Sequence, residues 1–175
     1  MKKNILITGA PGIGKTILII NILNAVKHTG PVGFYTEEIR EQGIRKGFSL
    51  ISTSGNRSTL AHVNIRSRFK VGKYGVDIAG FEALIEQLPF FDDNAGMIVI
   101  DEIGKMECFS TKFMQLIRTI LDSDKLFIAT VALKGEGLIT KVKKRSDIEL
   151  FEITRDNRNE LLQKIMNHTL SKLSR

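Results

Sequence analysis

The chain has 175 residues, 42% hydrophobic and 26% charged, which suits one domain, 1–175, with one sizeable core. Its single cysteine, Cys108, excludes an internal disulfide framework and fits a reducing, cytoplasmic compartment. The net charge of +7 is local: Arg45, Lys46, Arg57, Arg66, Arg68, Lys70 and Lys73 fall between Gln42 and Val76 with no acid among them, and the rest of the chain balances. Such a segment is either a solvated basic face or a surface for polyanions, phosphate or nucleic acid.

The first predicted strand is Asn4 to Thr8, apolar and so buried on both faces. Lys2 and Lys3 before it mimic the start of a signal peptide, but Gly9 interrupts the run and no cleavage site follows. A Gly-rich turn leads into a helix from about Lys15 to Lys27. Val32 to Glu37, Gly47 to Ser52 and Ser58 to Val63 read as short strands, the first two separated by a turn at Gln42-Gly43, an antiparallel elaboration. The βα alternation then resumes. Asp77 to Leu88 is helical with Asp77 as N-cap, Met97 to Ile100 is a buried strand, and Ser110 to Leu121 is an amphipathic helix. Leu126 to Val131 is a further buried strand, followed by a basic helical stretch at Lys141 to Arg145. Ile148 to Thr154 is the last strand, and the last helix runs from near Asn157 to near Leu173. Apolar strands alternating with helices predict an α/β fold with a parallel sheet covered on both faces. No stretch is long and apolar enough to cross a membrane.

Gly9-Ala10-Pro11-Gly12-Ile13-Gly14-Lys15-Thr16 matches G-x-x-x-x-G-K-[ST], the P-loop pattern. Its glycines let backbone N–H groups surround phosphates where side chains would collide. The helix behind it adds free N–H groups and the positive end of its dipole. Lys15 is expected to reach the β- and γ-phosphates, and the Thr16 hydroxyl to ligate Mg²⁺. The pattern stands in its required setting, between an apolar strand and an apolar helix.

A carboxylate at the end of another buried strand completes such a site, and Met97-Ile98-Val99-Ile100-Asp101-Glu102 supplies it. Strands of a parallel sheet end at one crevice. Asp101 is expected to hold Mg²⁺ and Glu102 to orient and deprotonate the attacking water. Gly104 and Lys105 follow this pair and are carried as nucleotide contacts, with an exposed loop lysine as the alternative for Lys105. Thr130 either touches the γ-phosphate or the lytic water, or is a strand residue without a role. Asn157 and Glu160 fit a capping arrangement, or their loop lies beside the base; Arg158 is a nucleotide-binding candidate. His28, His62 and His168 lie far apart in the chain, without ligand spacing. Cys108 reads as a small buried hydrophobe rather than a nucleophile.

Beyond the P-loop, three stretches resemble the THEP1-type nucleoside-triphosphatase family: Gly33-Phe34-Tyr35-Thr36-Glu37-Glu38 with Gly47-Phe48, Val71-Gly72-Lys73-Tyr74-Gly75-Val76, and Asp101-Glu102-Ile103-Gly104-Lys105-Met106-Glu107. Asn157-Arg158 is similar too, so the resemblance covers nearly the whole chain in order. It implies a three-layer, RecA-like α/β core whose mainly parallel sheet is extended by antiparallel strands. It also implies slow, Mg²⁺-dependent hydrolysis of several NTPs to NDP and phosphate with weak base discrimination. In this chain it assigns phosphate binding to Gly9 through Thr16, metal binding to Thr16 and Asp101, and water activation to Glu102.

A nucleotide or small-molecule kinase shares the P-loop and the size, and Lys141 to Arg145 would then be a short lid; Glu102 suits water activation instead. A nucleic-acid-stimulated module would use the basic segment, but two tyrosines and no tryptophan leave few bases stacked. Arg66, Arg68 and Lys105 are the candidates for an arginine-finger role. A monomer is expected, with nucleoside triphosphates as its partners.

Overall fold

The computed structural model describes residues 3–173. Its strands are β1 (Asn4–Thr8), β2 (Pro31–Glu41), β3 (Ile44–Ser52), β4 (Arg57–His62), β5 (Lys70–Val71), β6 (Tyr74–Val76), β7 (Met97–Ile103), β8 (Phe127–Val131) and β9 (Ile148–Glu152). The helices are α1 (Lys15–Ala25), α2 (Ile78–Glu86), α3 (Thr111–Asp122), α4 (Leu138–Lys143) and α5 (Arg158–Leu173). All the strands join one sheet in the order β5-β6-β4-β3-β2-β7-β8-β1-β9. From β2 to β9 the pairings are parallel, and from β2 to β5 they are antiparallel.

Side-chain alternation along the central strands builds two cores. Ile5, Ile7, Met97, Val99 and Ile128 face α1 and α5, where Leu18, Ile19, Ile22, Leu161 and Ile165 meet them. Leu6, Ile98, Ile100, Phe127 and Ala129 face the other way, onto Phe81 of α2, Phe113 and Ile117 of α3, and Val142 of α4. A strand covered on both faces has no polar side to show, which is why these segments read as unbroken apolar runs. The result is the expected three-layer α/β arrangement with its antiparallel extension.

Local signals start the helices where the sequence placed them. The Asp77 side chain accepts from the Gly80 amide at 3.0 Å and caps α2. Ser110 accepts from the Phe113 amide at 3.0 Å and caps α3, while its hydroxyl donates to Glu82 at 2.7 Å and ties α3 to α2. A capping side chain of this kind stabilises by about 1 kcal/mol.

Several expectations shift. β2 and β3 extend toward each other as far as the Gln42-Gly43 turn, and β5 and β6 were not expected as strands at all. β7 continues through Asp101 and Glu102 to Ile103 instead of stopping at Ile100. Asn157 does not act as the pairing with Glu160 suggested. Its Oδ1 accepts from the Thr154 amide at 2.8 Å and its Nδ2 donates to the Glu152 carbonyl at 2.9 Å, so the side chain closes the turn behind it.

Candidate functional site

β1, β7 and β8 are parallel neighbours in the sheet, so Thr8, Asp101 and Thr130 arrive at the same edge. From Thr8 the chain passes into the Gly-rich turn, where Gly12 and Gly14 take φ of 74° and 109°. A side chain disfavours those values and glycine does not. α1 begins directly at Lys15, so its first amides are free of intrahelical partners at the turn.

β7 carries a bulge at this edge. Ile100 pairs with Ala129 and Ile103 pairs with Val131, leaving Asp101 and Glu102 together opposite Thr130 alone. The Asp101–Glu102 peptide bond is cis. A bulge re-aims side chains, and here Asp101 and Glu102 take up different partners.

Asp101 is 1% exposed and collects hydroxyls. Its Oδ2 accepts from Thr16 Oγ1 at 2.7 Å and from Thr36 Oγ1 at 2.9 Å, with the Thr36 amide at 3.3 Å. Its Oδ1 accepts from Thr130 Oγ1 at 2.5 Å. α1, β2 and β8 each contribute one threonine. Thr16 was expected beside Asp101. Thr130 sits one step back from the place expected of it: it is fully buried and holds the carboxylate. Thr36 was missed as a functional residue. Only the pairing of β2 with β7 brings it here, and no local sequence signal encodes that pairing.

Lys15 and Glu102 form the second half. Lys15 Nζ donates to the carbonyls of Gly9 at 3.0 Å and Ala10 at 3.3 Å, and lies 3.6 Å from Glu102 Oε2. The side chains are 10% and 29% exposed. Burial raises the Glu102 carboxyl above the usual carboxylate range, the Lys15 charge pulls it back, and the Asp101 charge adds to the rise. A proton acceptor gains basicity from such a setting.

Gly104 is buried between carboxyls. A Cβ there would come within 2.8 Å of Glu107 Oε2 and 2.9 Å of Glu102 Oε1, so a side chain at this position would displace one or both carboxyls. Glu107 is itself buried, and burial, with the Glu102 charge adding to it, pushes its carboxyl up to about 8. Cys108 is half-buried, and burial pushes its thiol up to about 12, which suits an inert residue. Lys105 is exposed and makes no hydrogen bond or ion pair with the described residues.

Beside the turn lies a cleft of about 190 Å³, lined by Ile13, Gly14, Ile17, Asn21, Arg158 and Leu162 among others. Ile17 is 66% exposed, on the face of α1 that looks into it. The structure therefore brings Arg158, at the start of α5, next to Gly14. Arg66 and Arg68 lie on the loop after β4, with no hydrogen bond or ion pair to the site among the described residues. Arg66 is exposed, and Arg68 lies over the Phe69 ring at 4.8 Å. Among the described residues, no group of three or more His, Cys, Asp and Glu side chains is arranged to hold a metal ion. No helix among them is long and apolar enough to cross a membrane.

The model of a family described as NTPase matches residues 4–166. The nucleoside-triphosphatase THEP1 of Thermotoga sp. (strain RQ2) is 41% identical over 164 residues, 93% of either chain. The cancer-related nucleoside-triphosphatase of Homo sapiens is 38% identical over 182 residues, covering 95% of this chain and 96% of the human one. The crystal structure of THEP1 from the hyperthermophile Aquifex aeolicus superimposes with a TM-score of 0.84 at 33% identity, covering 95% of this chain and 98% of that one. With the Thr16–Asp101 and Lys15–Glu102 contacts at the shared edge of its sheet, the chain belongs to the THEP1-type family of P-loop nucleoside-triphosphatases.

Proposed function

We propose that the protein hydrolyses nucleoside triphosphates to the diphosphate and inorganic phosphate. One observation carries the reading: the Gly9–Thr16 turn and the Asp101–Glu102 pair meet, with Thr16 2.7 Å from Asp101 and Lys15 3.6 Å from Glu102. The names of the Thermotoga and human relatives support the same activity.

Gly9 through Thr16 would bind the β- and γ-phosphates, with Lys15 exchanging its two loop carbonyls for phosphate oxygens. Glu102 would hold the lytic water in line and take its proton as the water oxygen bonds to the γ-phosphorus. The bond from that phosphorus to the bridging oxygen then breaks, and NDP leaves. The donor set suits Mg²⁺: Asp101 is a buried carboxylate bonded to hydroxyls and an amide, all hard groups, with no cationic side chain bonded to it. Thr16 and Asp101 would hold that ion, which when bound supplies neutralisation of the triphosphate charge.

The Ile13, Ile17 and Leu162 cleft would seat the nucleoside, with Arg158 across it. Apolar walls accept any base face, which favours broad base use. Arg66 and Arg68 are neither hydrogen-bonded nor paired to this site among the described residues, so neither is assigned an arginine-finger role, and turnover without an arginine there is expected to be slow. Phosphate release from ATP, GTP, CTP and UTP, with Mg²⁺ and no acceptor, tests the reading. Release from several of them, abolished by Lys15→Ala, is expected; consumption of NTP only when an acceptor is added would establish a kinase instead.

A further inference from the structure

Two lysines are held in the same way at this edge of the sheet. Lys15 Nζ rests on the carbonyls of Gly9 and Ala10. Lys143 Nζ, from the last residue of α4, rests on the carbonyls of Ala132 at 2.6 Å and Leu133 at 2.9 Å, in the loop that leaves β8. Both positive charges act on Glu102 and oppose the effect of its burial, and the two lysines lie near enough to repel each other.

The other basic residues of this stretch are placed differently. Lys141 and Lys144 are exposed. Arg145 is committed to Asp122 at 2.8 Å and Asp147 at 2.9 Å. Among the basic residues of the stretch, Lys143 is the one held on the loop that leaves β8, bonded only to neutral oxygens and without an ion pair among the described residues, with the charges of Glu102 and Glu152 acting on it. An ammonium has three N–H donors and the two carbonyls take two of them. Loop carbonyls are also exchangeable for phosphate oxygens, as proposed for Lys15.

We infer that Lys143 is the charge-stabilising group of the hydrolysis, donating to a γ-phosphoryl oxygen as the bond to the leaving diphosphate breaks. It takes the part that an arginine finger plays in other P-loop enzymes. The inference rests on the hydrolytic reading above. It assigns the lysine no proton transfer: the water proton goes to Glu102, and Lys143 stays an ammonium throughout.

The test compares the wild type with Lys143→Ala, Lys143→Met, Lys143→Arg and Lys144→Ala. The readouts are kcat and KM for ATP, melting temperature, and Kd for a non-hydrolysable triphosphate and for ADP with aluminium fluoride, all with Mg²⁺. In Lys143→Ala and Lys143→Met, kcat should fall about 10²- to 10³-fold, and affinity for the aluminium fluoride complex should fall in step. Their affinity for the non-hydrolysable triphosphate should stay within about threefold of the wild type. Lys143→Arg should recover most of the rate, and Lys144→Ala should match the wild type. Equal weakening of both ligands, a rate loss that follows melting temperature, or a Lys143→Ala rate within about threefold of the wild type would overturn the inference. A wild type that releases no phosphate from any NTP overturns the hydrolytic reading itself, and this inference with it; an active wild type beside an equally active Lys143→Ala overturns only the inference.

Discussion

Asp101 is held by three threonine hydroxyls from three elements, all donating to one buried carboxylate. Thr130→Val keeps the shape and removes the donor to Oδ1. The oxygen left without a partner should lower unfolding free energy by about 1–3 kcal/mol in urea titrations; a change under about 0.5 kcal/mol would show that the bond is not needed. Glu107 makes a pH prediction. Its carboxyl stands at about 8 in the folded chain against 4.5 ordinarily. Between those values the folded state keeps a proton that the unfolded state has released, so this group's contribution to stability declines as pH rises from about 4.5 to about 8 and is flat above. Glu107→Gln carries no such group. Its stability advantage over the wild type should therefore grow by up to about 1.4 kcal/mol per pH unit across that window. Parallel curves for the two proteins would contradict the buried, protonated acid. Among single residues, the P-loop and the acid pair were legible because their chemistry is written in local spacing. Thr36 was not, since its role depends on a strand pairing 65 residues away in sequence.

The elements show the same division. α3 was readable from Phe113, Leu116, Ile117, Ile120 and Leu121, which repeat at helical spacing; all are buried except Leu116, which is half-buried against the core. Phe113 packs against Phe81 with ring centroids 5.2 Å apart and against Phe34 at 6.3 Å, joining α3, α2 and β2. Phe113→Ala should cost about 3–5 kcal/mol in denaturant unfolding, as a large buried ring leaves a cavity; a loss under about 1 kcal/mol would mean the cluster can collapse around the gap. The apolar run Met97 to Ile100 reads as the strand, while Asp and Glu, which follow it, are depleted in strands. The three threonines and Lys15 compensate for that cost, so the strand runs on through the site. β5 and β6 span only Lys70–Val71 and Tyr74–Val76, too short for any periodicity to show. Asn157 was read from a spacing that also occurs in turns, and its side chain bonds backward to Thr154 and Glu152.

Across the molecule, the basic surplus falls on the antiparallel side of the sheet, and two of its seven bases meet acids there. Arg57 pairs with Glu37 at 2.6 Å and Arg45 with Glu38 at 2.8 Å, both acids coming from β2. Arg45 also lies over the Phe48 ring and Lys73 over the Tyr74 ring. Both acids lie upstream of the basic stretch, which is why it reads as seven bases without an acid, and the chain has two tyrosines and no tryptophan for stacking bases. Single-stranded RNA or DNA at physiological salt should therefore leave NTP hydrolysis unchanged; stimulation of several-fold that vanishes as salt rises would contradict this. The parallel half of the sheet gathers the reacting groups at one edge, so the central claim concerns what Glu102 does there. The measurement that tests it is made on Glu102→Gln, comparing Mg²⁺-dependent NTP binding with phosphate release. Binding close to that of the wild type, with release reduced about 10²- to 10⁴-fold, is the predicted result. Release at the wild-type rate would contradict the account.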